Sequence, residues 1–280
     1  MGKRKLIFGI FIAIFAAIFL FSLYQLTSYF TQVEEAQSEY ADLIQLVEDA
    51  RPSQPATPAT EPDASEPDVA VTEPALVEVT GTDGVSRLIL PEYKPIYELN
   101  NDLVGWICID GTNINFPVVY HPQLRDYYLY RDFYRNSSSS GAIYVREECD
   151  PFTPSDNVVI YGHRMQAGTM FAKLHEYKDP AFWQAHRYIQ FDSLTEHRYF
   201  EILAVFTIDS TPDSDFPYHT FVDAADEAEF DTFIAQCKAY ALYETGVTAQ
   251  YGDKLITLST CNGPIGGIGR LVVVAKLVTE

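Results

Sequence analysis

The chain has 280 residues, 47% of them hydrophobic, and a formal net charge of −20 at pH 7. That length suffices for one domain with a sizeable core beside non-globular segments. The acidic balance excludes nucleic acid as a partner, because phosphate binding needs a basic face. The charge is also uneven: residues 31–90 hold 13 acidic against 2 basic side chains, a local balance of −11.

Residues 1–5 include Lys3, Arg4 and Lys5, and residues 6–23 are an 18-residue run without a charge, dominated by Ile, Phe, Leu and Ala. As a helix this run spans roughly 27 Å, close to the ~30 Å hydrocarbon core of a bilayer, with Tyr24 and Tyr29 placed as interfacial anchors. A cleaved signal peptide has a shorter apolar region, about 7–15 residues, followed by a small-x-small site. Residues 25–32 offer no such site. Residues 6–24 are therefore expected to be a transmembrane signal anchor, with residues 1–5 cytoplasmic and the remainder outside.

Within residues 25–50, Val33, Ala36, Tyr40, Leu43, Ile44 and Val47 recur at helical spacing in a polar background, which predicts a short stalk helix. Residues 51–92 carry Pro52, Pro55, Pro58, Pro62, Pro67 and Pro74 among Ala, Thr, Glu and Asp, and read as an extended acidic linker. The folded domain is expected over residues 93–280.

That domain opens with a short helix over 94–102. Strands follow at 104–109, turning at Asp110-Gly111, and at 114–120, where Pro117 suggests an edge or a bulge. Residues 127–130 and 141–145 read as strands flanking a flexible loop at Asn136-Ser137-Ser138-Ser139-Ser140. Short strands between dense turn signals predict a closed β-barrel. Residues 170–177 and 180–185 look helical, 188–191 and 199–208 look like strands, and 223–243 form an amphipathic helix with acidic residues in its first turns.

Three strand ends carry the chemistry. Leu255-Ile256-Thr257-Leu258-Ser259-Thr260-Cys261 is a strand closed by a Gly- and Pro-rich link, and Arg270 opens the next aliphatic run, Leu271-Val272-Val273-Val274-Ala275-Lys276-Leu277. If the two strands are neighbours, a thiol and a guanidinium meet at one rim, where positive charge favours a thiolate and stabilises an oxyanion. The plainer alternative is a buried structural Cys beside a surface-paired Arg. A base is found at the end of Asn157-Val158-Val159-Ile160-Tyr161-Gly162-His163, where His163 occupies a strand terminus as Cys261 does. His121, His175, His186, His197 and His219 lie in polar or helix-like segments and read as surface residues.

The set Ile160-Tyr161-Gly162-His163 with Thr169-Met170-Phe171, Thr257 to Cys261, and Arg270 to Lys276 resembles a sortase, with details similar to class B, over roughly residues 93–277. The resemblance implies a mostly β fold: a sortase-type barrel with an N-terminal helix and a long helix inserted before the Cys strand, preceded here by a transmembrane helix. It implies Cys261 as nucleophile, His163 as general acid/base and Arg270 as oxyanion-stabilising residue, with Leu129, Tyr161, Ser259 and Thr260 binding substrate. It implies transpeptidation of secreted proteins carrying a C-terminal sorting signal. The acceptor is an amine of a peptidoglycan precursor or, alternatively, a pilin lysine. No metal or organic cofactor is called for.

Some features depart from the pattern or stay open. The link between Cys261 and Arg270 holds four Gly and a Pro, and Arg125 falls where class B enzymes have a substrate-binding Asn. Glu147, Glu148, Asp150 and Asp156 form an acidic stretch where class A sortases bind calcium, but class B ones are not expected to, and the spacing is irregular; it reads as a solvated loop. Asp150-Pro151-Phe152 matches the lid tripeptide of class C enzymes but follows the barrel's first strands, so the match is accidental. Cys108, Cys149 and Cys237 are an odd number beside Cys261, so no complete disulfide framework is available. Cys149 is the one placed for exposure. Two rivals are a catalytically silent binding domain and an L,D-transpeptidase, whose Ser-His-Gly-Cys-type motif is missing here.

Overall fold

A computed structural model describes residues 2–52, 75–81, 84–211, 214–263 and 267–279. The chain divides into two compact units, Met1–Asp42 and Leu43–Glu280. The Pro-rich segment 53–74, which carries most of the expected linker, lies outside the described residues.

The first unit belongs to helix α1, Gly2–Ala50. No Gly or Pro interrupts residues 10–50, so the helix continues through the span read as a separate stalk. It stops before Pro52, whose ring disfavours helical backbone at the preceding residue. Ile7–Ser28 is long and apolar enough to cross a membrane, roughly 33 Å at helical rise, and Phe8, Phe15 and Phe19 are exposed along it.

The second unit starts earlier than Tyr93. Leu43 and Val47, four apart on the last turns of α1, are buried. Strands β1 (Val77–Thr80) and β2 (Ser86–Ile89) then form an antiparallel hairpin inside the span read as linker. Its strand signal, alternating β-branched residues around Gly81 and Gly84, is hidden by the acidic and Pro-rich average of its surroundings. Leu90 N donates to Leu194 O at 2.6 Å, and Ile89 and Leu90 are buried.

The barrel strands are β3 (Leu103–Cys108), β4 (Asn115–Tyr120), β5 (Ile143–Val145), β6 (Asn157–Tyr161), β7 (Tyr188–Ser193), β8 (Tyr199–Asp209), β9 (Leu255–Cys261) and β10 (Gly269–Leu277). They close in the order β10-β8-β7-β3-β4-β5-β6-β9. The β4–β5 and β6–β9 pairs are parallel and the others antiparallel. Pro117 sits within β4, opposite Trp106, and β5 begins to pair only at Val118, so the missing N–H leaves no ladder bond unmade on that side.

Helix α2 (Lys94–Leu99) precedes the barrel, and α3 (Pro180–Ala185) and α4 (Glu227–Tyr240) are inserted in it. The expected helix over 223–243 is shorter because Asp226 is its N-cap, accepting from Glu229 N, while Asp223 is turned to the Asp156 amide. Phe230, Phe233, Ile234 and Cys237 share a core cluster with Leu203 and Phe206 of β8 and Val272 and Val274 of β10. Each such buried side chain contributes on the order of 1.5–3 kcal/mol.

Residues 127–130 form turns rather than a strand, and the Ser-rich loop is tied down, with Ser138 N donating to Tyr130 O at 3.0 Å. All four cysteines are free. Cys149 is buried, not exposed: its sulfur accepts from Val159 N and donates to Asn157 O, and burial pushes the thiol up to about 11. The acidic stretch is spent on separate partners. Glu147 faces Arg125, Glu148 pairs with Arg146, Asp150 accepts from the Phe152 and Thr153 amides, and Asp156 pairs with Lys254. Among the described residues no group of three His, Cys, Asp or Glu side chains is arranged to hold a metal ion.

Candidate active site

Three consecutive strands bring the site together. β9 and β10 are antiparallel with Cys261 directly opposite Arg270, and Asn262 N donates to Gly269 O at 2.8 Å as the hairpin opens. β6 runs parallel to β9 with Tyr161 opposite Ser259, and Gly162 N donates to Ser259 O at 3.2 Å. Gly162 and His163 follow directly on the end of β6, and Cys261 lies two residues beyond Ser259 at the end of β9. Residues at one level of neighbouring strands project to one face. Thiol and guanidinium thus share one rung at the rim of the barrel, and His163 lies just past the end of the neighbouring strand.

All three line a cleft of about 220 Å³, together with Leu129, Tyr161, Ser259 and Thr260. Each of the residues singled out in the sequence thus lines this cleft, and so does Arg125. The walls missed in the sequence are Asp126, Tyr144, Arg146, Ser210, Tyr218 and His219. Tyr218 and His219 come from a short 3₁₀ turn after β8, and Tyr218 OH and Ser259 Oγ form a 2.8 Å hydrogen bond. A loop residue folded back over a barrel rim leaves no periodic trace; the signal the sequence offers is the loop's position, at the entry to the long helix before the Cys strand, rather than the identity of these two residues. Burial, then the Arg146 and Arg125 charges, lower the His219 pKa. Burial also raises the Tyr161 and Tyr218 phenols, which stay neutral hydrogen-bonding groups.

His163 Nε2 lies 2.7 Å from Leu129 O. A carbonyl only accepts, so Nε2 carries the hydrogen and Nδ1 is left as the nitrogen able to take or give a proton. The Leu129 carbonyl is itself held by its loop: Leu129 N donates to Asp126 O at 3.0 Å, and Ala142 N to Tyr128 O at 3.1 Å. Tyr128 is anchored through its hydroxyl to Asp102 Oδ2 at 2.6 Å. Gly141 takes a φ of +57°, and a Cβ there would meet Leu129 O at 2.5 Å and His163 Cδ2 at 3.1 Å. Only glycine fits that left-handed position beside the imidazole.

Arg270 Nη1 donates to the Gly267 and Gly269 carbonyls at 2.7 and 3.0 Å. Among the described residues no carboxylate pairs with it, and Arg270 lines the cleft. Thr260 Oγ1 is buried beside Cys261 without a hydrogen-bond partner among the described residues. The chemistry this set permits is nucleophilic acyl transfer: a thiol, a titratable imidazole and a fixed cation around a space for a carbonyl.

That fold and that cleft define a barrel-type cysteine acyltransferase, and comparison with known proteins agrees. The family model described as the sortase domain matches residues 107–278. Sortase B of Listeria monocytogenes is 30% identical over 200 residues, 71% of this chain and 79% of its own length. Sortase B of Staphylococcus aureus is 29% identical over 191 residues, 68% and 76% of the two chains. A crystal structure of sortase B from B. anthracis superposes with a TM-score of 0.67 at 26% identity, covering 90% of this chain and 100% of that one. The chain belongs to the sortase family of cysteine transpeptidases. Within the family it is similar to class B.

Proposed function

We propose that this chain is a membrane-anchored transpeptidase that cleaves a C-terminal sorting motif of secreted proteins after Thr and joins the acyl group to an amine of a peptidoglycan precursor. Family membership implies a sorting-signal substrate and an amine acceptor. The observation that supports the assignment of roles is the Cys261–Arg270 rung and the cleft that His163 lines together with both.

In the first half-reaction Cys261 passes its thiol proton to His163 Nδ1 and the thiolate attacks the Thr carbonyl carbon, forming the C–S bond, while Arg270 stabilises the oxyanion. Collapse breaks the C–N bond, and the leaving amine takes a proton from His163 Nδ1, with Nε2–H still held by Leu129 O. In the second half-reaction the acceptor amine attacks the thioester, His163 takes its proton, and the Cys261 thiolate departs. Leu129, Tyr161, Ser259 and Thr260 line the path of the motif. The apolar stretch Ile7–Ser28 supports a single-pass anchor, and Lys3, Arg4 and Lys5 ahead of it support a cytoplasmic N-terminus with the barrel outside.

The test is to incubate the full chain in detergent with sorting-motif peptides and two amines in competition, a peptidoglycan-type peptide and a lysine-bearing pilin-type peptide. Ligation to the wall-type amine is expected. Exclusive ligation to the pilin-type lysine contradicts the anchoring role and assigns polymerisation instead.

A further inference from the structure

One element outside the three strands bonds to the backbone of both His163 and Cys261. The 3₁₀ segment Phe171–Lys178 begins where Phe171 N donates to His163 O at 2.9 Å. Four residues on, His175 Nε2 lies 2.9 Å from Cys261 O, and Lys178 Nζ donates to Asn262 Oδ1 at 2.5 Å. A 3₁₀ helix has three residues per turn, so positions three apart eclipse one another. Phe171, Leu174 and Tyr177 accordingly form one fully buried row, which fixes the segment. His175 and Lys178 form the adjacent row, and both meet the chain at the end of β9.

The entry to this segment is strained. Met170, buried, has a φ of +55°, a conformation that persists in a non-glycine residue only when its surroundings over-determine it. Here the Arg164–Met170 bridge and the Phe171–His163 bond supply that determination. The carbonyl of Cys261 accepts, so His175 donates through Nε2–H. Burial lowers the His175 pKa, with the Arg164 and Lys178 charges acting in the same direction against the bond to Cys261 O, so the ring is a neutral donor around pH 7.

We propose that His175 is a positioning residue for the nucleophile: its hydrogen bond to the Cys261 carbonyl adds a side-chain hold on the β9 terminus beside the backbone pairing with β10, and so sets the Cys261 thiol against His163. This rests on the assignment of Cys261 as nucleophile. Displacing a reacting atom by even 1 Å costs up to about 100-fold in rate.

The experiment compares full-length His175→Met, which keeps bulk without a donor, with His175→Gln, whose amide restores one, following acylation by a sorting-motif peptide and the KM for that peptide. His175→Met is expected to acylate about 10- to 30-fold more slowly with KM within two-fold of the parent, and His175→Gln to recover to within about three-fold. A His175→Met rate within two-fold of the parent, or a Gln variant as slow as the Met one, overturns the inference. If the Met variant does not fold, His175→Gln against His175→Glu, which offers only acceptors, carries the test, and equal rates overturn it. Cys261→Ala is run alongside. If Cys261→Ala still forms the acyl adduct, the site assignment itself fails; if it is inert while His175→Met is unaffected, only this inference fails.

Discussion

The barrel unit holds two histidine-centred clusters that use the same side chain in opposite ways. At the cleft, His163 bonds to a backbone carbonyl through one nitrogen, and among the described residues no carboxylate forms an ion pair with it. At the other cluster, His197 is gripped at both nitrogens: Nδ1 lies 2.8 Å from Asp192 Oδ2 and Nε2 lies 3.3 Å from Glu92 Oε1. Hydrogen bonds to Asp192 and Glu92 raise the His197 pKa to about 10 despite its partial burial. Asp192 also accepts from Tyr93 OH, Gln190 Nε2 and Arg198 N. A neutral acceptor fixes a tautomer and leaves a proton exchangeable, whereas two carboxylates fix a charge. The first arrangement suits catalysis and the second suits structure.

Breaking the cleft should have the largest effect. Arg270→Met is expected to slow acylation about 10²- to 10³-fold, the cost of losing one oxyanion partner, while leaving the melting temperature within a few degrees; single-turnover mass spectrometry measures the first and calorimetry the second. Breaking the other cluster should do the reverse. Asp192→Ala strands several buried donors and is expected to cost about 3 kcal/mol of stability in urea titration, with the folded fraction still acylating. Gly141→Ala tests how the cleft histidine is held. Its Cβ would press on Leu129 O and the His163 ring, and roughly a tenfold loss of acylation is expected.

The smallest effect separates the clusters by pH. His197 gains its proton affinity on folding, so its stabilisation is complete below the ordinary histidine value of about 6.5 and is lost as pH rises through about 10. The parent melting temperature should therefore fall between pH 7 and pH 10.5, and His197→Gln should flatten that slope without moving the pH dependence of acylation.

The Cys261–Arg270 rung and the strand-end His163 are legible in the sequence because strands of β-branched residues ending in Gly-His, in Cys and after a Gly-Pro link advertise both the elements and their rims. Once a barrel is inferred, strand ends become neighbours. The cleft walls are less legible. Tyr218 and His219 reach the cleft through an irregular turn, and His175 meets the Cys261 backbone through a three-residue period that sequence inspection for 3.6-residue spacing does not detect. The hairpin at 77–89 is concealed by averaging over a Pro-rich stretch. Cys149 reads as exposed among Glu147, Glu148 and Asp150, yet the chain turns it inward beside β6, where backbone groups of Asn157 and Val159 satisfy its sulfur.

The most direct test of the account is intact-mass measurement of the full chain after incubation with a library of Thr-containing sorting peptides, beside Cys261→Ala and His163→Ala. The account predicts a thioester adduct mapping to Cys261, absent from the first variant and strongly reduced in the second. An adduct that maps to Cys108, or that survives in Cys261→Ala, would contradict it.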